Sequence, residues 1–135
     1  MPTPRLFRVV IPVDDIEAAT SFFTELLTTP GERVWENRHY FPCGDVILTC
    51  VVPEVEPSSY RSPDDPRIVY LAVGDLDAFY DRAHRAAARV EGGIETREWG
   101  ERSFYCNDPF GNRLCFVDAA TVYSGGPLDP DAPAG

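Results

Sequence analysis

The opening third of the chain combines an apolar run, a helical pattern and three short strand patterns. Leu6 to Pro12 predicts a strand, and Asp14 with Glu17 predicts a capping box that opens a helix. Pro30 and Gly31 end the helical pattern. Its apolar positions are Ile16, Ala19, Phe23, Leu26 and Leu27. Three strands are predicted next, at residues 33–36, 39–41 and 46–52, with a tight turn at 43–45.

The same order of elements recurs in the second half. Residues 68–73 predict a strand, Asp75 predicts the cap of a second helix, and Gly92 with Gly93 predicts its end. The apolar face of this helix comprises Leu76, Phe79, Ala83, Ala87 and Val90. Three further strands are predicted at residues 94–99, 102–106 and 113–117.

Two local matches between the halves indicate an internal duplication. Val13–Ile16 aligns with Val73–Leu76 at an offset of 60 residues, and Gly44–Leu48 aligns with Gly111–Cys115 at an offset of 67. The predicted fold class is therefore α+β, with two βαβββ units. We expect one domain over residues 1–124, with units at about 6–52 and 68–118, a linker at 53–67 and a flexible tail at 125–135.

Charge and cysteine spacing narrow the classes of partner and location. The 135 residues include 12 basic and 22 acidic side chains, so the formal net charge is −10, which disfavours nucleic acid and membrane surfaces as partners. The apolar stretch at residues 6–13 is too short for a signal peptide or a membrane span, which favours the cytoplasm. The four cysteines form no C-x-x-C motif and are expected to be reduced thiols.

Three stretches resemble the vicinal oxygen chelate superfamily, which includes glyoxalase I, extradiol dioxygenases and bleomycin resistance proteins. They are residues 8–17, residues 73–77 and above all residues 99–117, with the turn Asp108-Pro-Phe-Gly-Asn. This turn also has a physical reason, since Asp108 can bond the backbone ahead of it and Gly111 can supply a positive φ. The resemblance implies a curved, partly open eight-stranded barrel-like sheet, with a cup between its halves that holds metal and substrate.

Enzymes of the superfamily take metal ligands from the first and last strand of each unit. The resemblance carries those four positions onto Arg8, Leu48, Ile68 and Cys115. Arginine, leucine and isoleucine cannot ligate a metal, and one thiolate does not make a site for the metals that this superfamily uses. The four strands contain no His, Asp or Glu. We therefore predict no metal and no cofactor.

Strand alternation predicts which side chains face the cup. Arg8 is the most informative, since a guanidinium there can clamp a carboxylate or phosphate, and the alternative is an ion pair or a solvent-exposed end. The candidate ligand-binding residues are Arg8, Leu48, Cys50, Ile68, Tyr70, Arg113 and Cys115. The aromatic residues able to stack on a flat ligand are Trp35, Tyr40, Tyr70, Trp99 and Phe104.

The sequence supports catalytic roles less strongly than it supports ligand binding. His39 is a candidate general base without an identifiable carboxylate partner, and His84 is expected on a solvated helix face. Cys115, with Cys50, is either an inert core thiol or a reactive thiol whose pKa a cation such as Arg8 lowers. No catalytic residue is therefore assigned.

The leading interpretation is a metal-independent protein that binds a small molecule in the cup, possessing no enzymatic activity and sequestering a drug or metabolite. The acidic charge favours a cationic guest and Arg8 an anionic one. The alternatives are a lyase, isomerase or dioxygenase using an unrecognised metal site such as His39 with Glu36, or an acid-base site, and an interaction module whose cup is filled by its own side chains. A homodimer is expected, as is common in the superfamily.

Overall fold

A computed structural model describes residues 3–53, 67–123 and 125. The predicted linker, apart from its end residues Pro53 and Arg67, and the predicted tail, apart from Gly125, lie outside these residues. The chain divides into two compact units, residues 1–66 and 67–135. Each contains one βαβββ repeat, so the α+β class and the duplicated unit are confirmed. Neither described helix is long and apolar enough to cross a membrane.

Unit 1 is a four-stranded sheet with one helix. Its elements are β1 (Arg8–Pro12), α1 (Ile16–Leu27), β2 (Glu32–Trp35), β3 (Arg38–Cys43) and β4 (Val46–Val51). The strand order is β1-β4-β3-β2, with β1 parallel to β4 and the other pairs antiparallel. The helix packs against β3 and β4 through four buried side chains, Ala19, Phe22, Phe23 and Leu26.

Helix α1 begins one residue later than the capping-box pattern predicted. Asp15, rather than Asp14, is the N-cap, and its carboxylate accepts from the backbone N–H of Ala18 at 3.0 Å. An N-cap side chain accepts from the backbone N–H of the second or third residue after it. The position of the first helical turn therefore decides which aspartate is the N-cap. The helix ends at Thr28, which has left-handed backbone (φ 59°), two residues before Pro30.

Unit 2 repeats this arrangement. Its elements are β5 (Ile68–Val73), α2 (Leu76–Arg85), β6 (Arg89–Thr96), β7 (Arg102–Asn107), β8 (Arg113–Asp118) and a 3₁₀ turn (Ala119–Thr121). The strand order is β5-β8-β7-β6, again with one parallel pair, β5 with β8. Asp75 caps α2 by accepting from the N–H of Ala78 at 3.1 Å, as the sequence predicted.

The predicted end of α2 at Gly92 and Gly93 is wrong, because both glycines lie within β6. The helix ends at Arg85, and Ala87, two residues later, has left-handed backbone (φ 65°). The N–H of Ala88 donates to the carbonyl of Ala83 at 3.0 Å, which is the bond of a Schellman motif. Glycine usually holds the left-handed position of that motif, so an alanine there gave no signal in the sequence.

The turn between β7 and β8 is held by Asp108. Its Oδ1 accepts from the backbone N–H groups of Phe110 (2.9 Å) and Asn112 (2.8 Å), and its Oδ2 accepts from the Asn112 amide (2.7 Å). Gly111 has a φ of 91°. The sequence-based account of this turn is confirmed.

Candidate functional site

The sheet of unit 2 has one face covered by α2 and one face opposite it, which we call the open face of unit 2. Phe79 of α2 stacks on Phe116 (5.4 Å between ring centroids), so Phe116 and its cross-strand neighbours Leu71 and Phe104 face the helix. The alternating positions form the open face. They are Ile68, Tyr70, Ala72, Ser103, Tyr105, Asn107, Arg113, Cys115 and Val117. The predicted facing of β5 and β8 therefore agrees with the register.

Cys115 lies at the centre of this face and is buried. Burial raises the pKa of its thiol, and hydrogen bonding with Ser103 and Tyr105 opposes that rise. The cation that lowers the pKa is Arg97, which belongs to the same unit. The net direction is upward, so Cys115 is a protonated thiol at neutral pH and lacks the activation that a nucleophile needs.

Two guanidinium groups lie over the ring of Tyr105, beside Cys115. Arg97 is 4.9 Å and Arg113 is 4.3 Å from the ring centroid. Both are paired with acids, since Arg113 Nε donates to Glu91 at 2.9 Å and Arg97 Nη1 to Glu95 at 2.6 Å. Burial, and then a hydrogen bond with Tyr70, raises the pKa of Tyr105 to about 12. The phenol therefore serves as a neutral hydrogen-bonding group.

An open pocket of about 400 Å³ lies next to this cluster. Strands β5 and β8, the β6–β7 turn and the segment after the 3₁₀ turn all contribute to it. Its lining residues are Tyr70, Leu71, Ala72, Trp99, Glu101, Val117, Val122 and Tyr123. Three of these are aromatic and none is basic. The volume and the apolar lining are typical of a site for a small molecule.

Glu101 ties two walls of the pocket together. It is buried, and its Oε1 accepts from Trp99 Nε1 at 2.7 Å while its Oε2 accepts from the backbone N–H of Tyr123 at 2.8 Å. One carboxylate thus fixes the indole and the segment that follows the 3₁₀ turn. Charge-assisted hydrogen bonds of this kind are stronger than neutral ones, which favours a preformed wall.

The predicted facing of Leu48 and Cys50 in unit 1 is wrong. Leu48 is paired in register with Phe41, and Cys50 with His39. Phe41 contacts Phe23 of α1 at 5.8 Å between ring centroids, so this side of β4 faces the helix. Leu48 and Cys50 are accordingly buried in the core of the unit. The opposite side of β4 carries Ile47, Thr49 and Val51.

Arg8 does lie opposite the helix, and it is exposed. Its Nη1 donates to the Tyr40 hydroxyl at 2.6 Å, and its guanidinium carbon lies 5.0 Å from the centroid of the Phe7 ring. Within residues 3–53 and 67–123, no carboxylate pairs with it. The ion pair predicted as an alternative is absent there, and within the described residues the guanidinium has N–H groups that donate to no acceptor.

His39 lies on the helix side of unit 1, buried between neighbours. Its Nε2 is 2.8 Å from the carbonyl of Pro30 and therefore donates, while its Nδ1 accepts from Arg33 Nε at 3.3 Å. Glu36, the predicted partner for a metal, is exposed. Both nitrogens of the imidazole are engaged, so it has no lone pair for a metal or a substrate proton. His84 is exposed on α2.

The residues present do not fit the metal centre of the superfamily's enzymes. The first and last strands of the two units present arginine, apolar side chains, hydroxyls and the protonated thiol of Cys115 on the sides away from the helices. No group of three His, Cys, Asp or Glu residues in the described part of the chain is placed to hold a metal ion.

These features define a class of α+β proteins built from a duplicated βαβββ unit. A model of the Glyoxalase/Bleomycin resistance protein/Dioxygenase superfamily matches residues 5–116, and the chain belongs to that superfamily.

Solved structures share the fold at low sequence identity. A glyoxalase/bleomycin resistance protein from Albidiferax ferrireducens is 18% identical with a TM-score of 0.70, over 84% of this chain and 98% of that one. A lactoylglutathione lyase from Agrobacterium tumefaciens is 21% identical with a TM-score of 0.65, over 87% and 96%. TioX from Micromonospora is 15% identical with a TM-score of 0.68, over 86% and 99%.

Curated relatives match only part of the chain. An uncharacterized protein of Mycobacterium bovis is 35% identical over 68 residues, which are 50% of this chain and 43% of the relative. An uncharacterized protein of Mycobacterium tuberculosis matches equally well over 39% of its own length. The chain thus matches less than half the length of these relatives.

Proposed function

We propose that this chain is a metal-independent small-molecule-binding protein, which sequesters a drug or metabolite in the cytoplasm without transforming it. The observation that carries this proposal is the open pocket of unit 2, whose walls include Tyr70, Trp99 and Tyr123. Its lining offers aromatic faces and one carboxylate that is already bonded to the pocket walls. Binding, rather than proton transfer or nucleophilic attack, is what such a lining can do.

The lining favours a flat, largely apolar guest. Aromatic side chains contribute large contact areas and prefer stacked or edge-to-face partners. Pocket residues Tyr70 and Trp99 remain 54% and 37% exposed, so their faces are accessible. Among the other aromatic candidates, Phe104 is fully buried against Tyr80 and Phe116, and it packs the core instead.

The arrangement of the candidate catalytic side chains does not support the enzymatic alternative. A general base needs a free lone pair near a substrate, yet both nitrogens of His39 are engaged and Cys115 is held protonated. We therefore place the lyase, isomerase and dioxygenase hypotheses second.

The two tryptophans of the chain allow a direct test with 4-nitroaniline, a flat, neutral quencher of indole fluorescence. We expect Trp35→Phe, which leaves Trp99 as the only indole, to show saturable quenching. Trp99→Phe leaves Trp35, which is 69% exposed and outside the pocket lining, and should show only a weak linear decrease. Trp99→Ala should weaken binding, measured by calorimetry, at least about tenfold, since it removes a stacked aromatic wall. Equal affinity of Trp99→Ala and wild type contradicts the proposed site.

We also propose a homodimer with cyclic symmetry, the commonest arrangement of soluble oligomers. Large apolar side chains remain exposed in both units, among them Leu6, Val10 and Val122. Sedimentation velocity is expected to give twice the mass of one chain at micromolar concentration. The mass of a single chain under those conditions contradicts this proposal.

A further inference from the structure

The sheet of unit 1 carries a buried hydroxyl that has no hydrogen-bond partner among the residues that the structure describes. Thr49 is fully buried, and its Oγ1 neither donates nor accepts in the described part of the chain. The residue is central in β4, paired with Val10 on one side and Tyr40 on the other. It lies on the side of the sheet away from α1, because its neighbours Leu48 and Cys50 face the helix. A buried hydroxyl without a partner has lost its hydrogen bonds to water and gained none in return.

The Arg8–Tyr40 hydrogen bond crosses strand β4 on the side of the sheet that carries this hydroxyl. Strand β4 lies between β1 and β3 in the sheet, so a bond from Arg8 on β1 to Tyr40 on β3 spans the strand that carries Thr49. Neighbouring strands are about 4.8 Å apart, and only long side chains reach across two such spacings. The bridge therefore lies on the same side of the sheet as Thr49, which is fully buried while its neighbour Val10 is 54% exposed.

We propose that Arg8, Tyr40 and Thr49 form a binding site for a carboxylate. The guanidinium uses one N–H on Tyr40, and the Tyr40 hydroxyl accepts that bond and keeps its own proton. Among the described residues the Thr49 hydroxyl has no partner. All three groups can donate, and no carboxylate in the described residues approaches Arg8. An incoming carboxylate that opens the bridge accepts from Arg8 and Tyr40 at the surface and satisfies Thr49 below them.

The surroundings favour a carboxylate attached to an apolar or aromatic body. Phe7, 48% exposed, stands beside Arg8, and Val10 and Ile47 flank the bridge in the sheet. The chain carries a formal net charge of −10, which repels a phosphate dianion more strongly than a carboxylate. This site lies wholly within unit 1, so it is independent of the pocket proposed above in unit 2, and either can fail alone.

Benzoate and its neutral counterpart benzamide distinguish this site from general aromatic binding. Amide chemical shifts, followed by NMR at constant ionic strength, should show benzoate binding at least tenfold more tightly than benzamide, with shifts centred on residues 8, 40 and 49. Arg8→Gln, Tyr40→Phe and Thr49→Val should each weaken benzoate binding about tenfold and leave benzamide unchanged. Arg85→Gln, on the exposed end of α2, makes the same change in charge and should bind as wild type does.

Thr49→Val supplies a second readout that a purely structural threonine would not give. Valine has the same shape without the hydroxyl, so the ligand-free variant should melt about 4 °C above wild type while it binds benzoate more weakly. Higher stability combined with weaker binding is the expected result. Equal affinities for benzoate and benzamide in wild type, unchanged benzoate binding in Thr49→Val, or a lower melting temperature of that variant would each overturn the proposal.

Discussion

Gly31→Ala is expected to lower the free energy of unfolding by about 3 kcal/mol. Gly31 has a φ of +60°, which an alanine adopts only with strain. A Cβ built there lies 2.3 Å from the carbonyl oxygen of Tyr40 and 2.9 Å from the Phe41 ring. The nearest obstacle is backbone of β3 and not the end of a flexible side chain, so the strand itself has to move.

Gly44→Ala is the matched control. Gly44 has nearly the same φ, +62°, in the β3–β4 turn, but a Cβ there meets nothing within 4 Å. The cost should be that of the left-handed backbone alone, about 1 kcal/mol. Urea unfolding of the two variants measures the difference, which is the contribution of the steric clash. Equal losses would show that the close approach of Gly31 to β3 does not exist in solution.

Asp108→Ala should destabilise the chain by about 3 kcal/mol. The residue is 4% exposed, and within the β7–β8 turn its carboxylate accepts from the backbone N–H groups of Phe110 and Asn112 and from the Asn112 amide. Its removal leaves those donors without their acceptor in a region that water reaches poorly. Asp108→Asn retains one oxygen but places an amide against the Asn112 amide, so an intermediate loss is expected.

Asp45→Ala tests whether any turn aspartate would have the same effect. Asp45 is exposed in the β3–β4 turn of unit 1, where its removal should change stability by less than about 0.5 kcal/mol. Chemical denaturation followed by circular dichroism gives both values. A loss in Asp108→Ala no greater than that in Asp45→Ala would contradict the role assigned to the buried carboxylate.

Local signals in the sequence were sufficient for the repeat, the N-cap of α2 and the β7–β8 turn. Asp75 and Asp108 form hydrogen bonds with residues only a few positions away in the sequence, so their roles can be predicted from the neighbouring residues. The end of α2 was missed because Ala87 occupies a backbone conformation usually taken by glycine. The glycines that replaced it in the prediction, Gly92 and Gly93, lie in a strand whose pairing with β7 is irregular between Glu91 and Glu95.

Features that depend on contacts between distant residues were harder to predict. Alternation along β4 gives two sets of residues, and only the register with Phe41 shows that Leu48 and Cys50 face α1. Trp99 was a candidate for stacking, but Glu101 and Tyr123 were missed because they meet 22 residues apart in sequence. The sequence did not indicate Thr49 as a candidate binding residue, since threonine is common in strands.

Elemental analysis combined with 4-nitroaniline binding, on the same purified sample before and after dialysis against EDTA, tests the central claim of metal-independent binding most directly. We expect far less than one transition-metal ion per chain and the same dissociation constant in both samples, because the pocket walls are side chains and no metal ligand set is present among the described residues. About one metal ion per chain, with binding lost after EDTA and restored by that metal, would contradict the account.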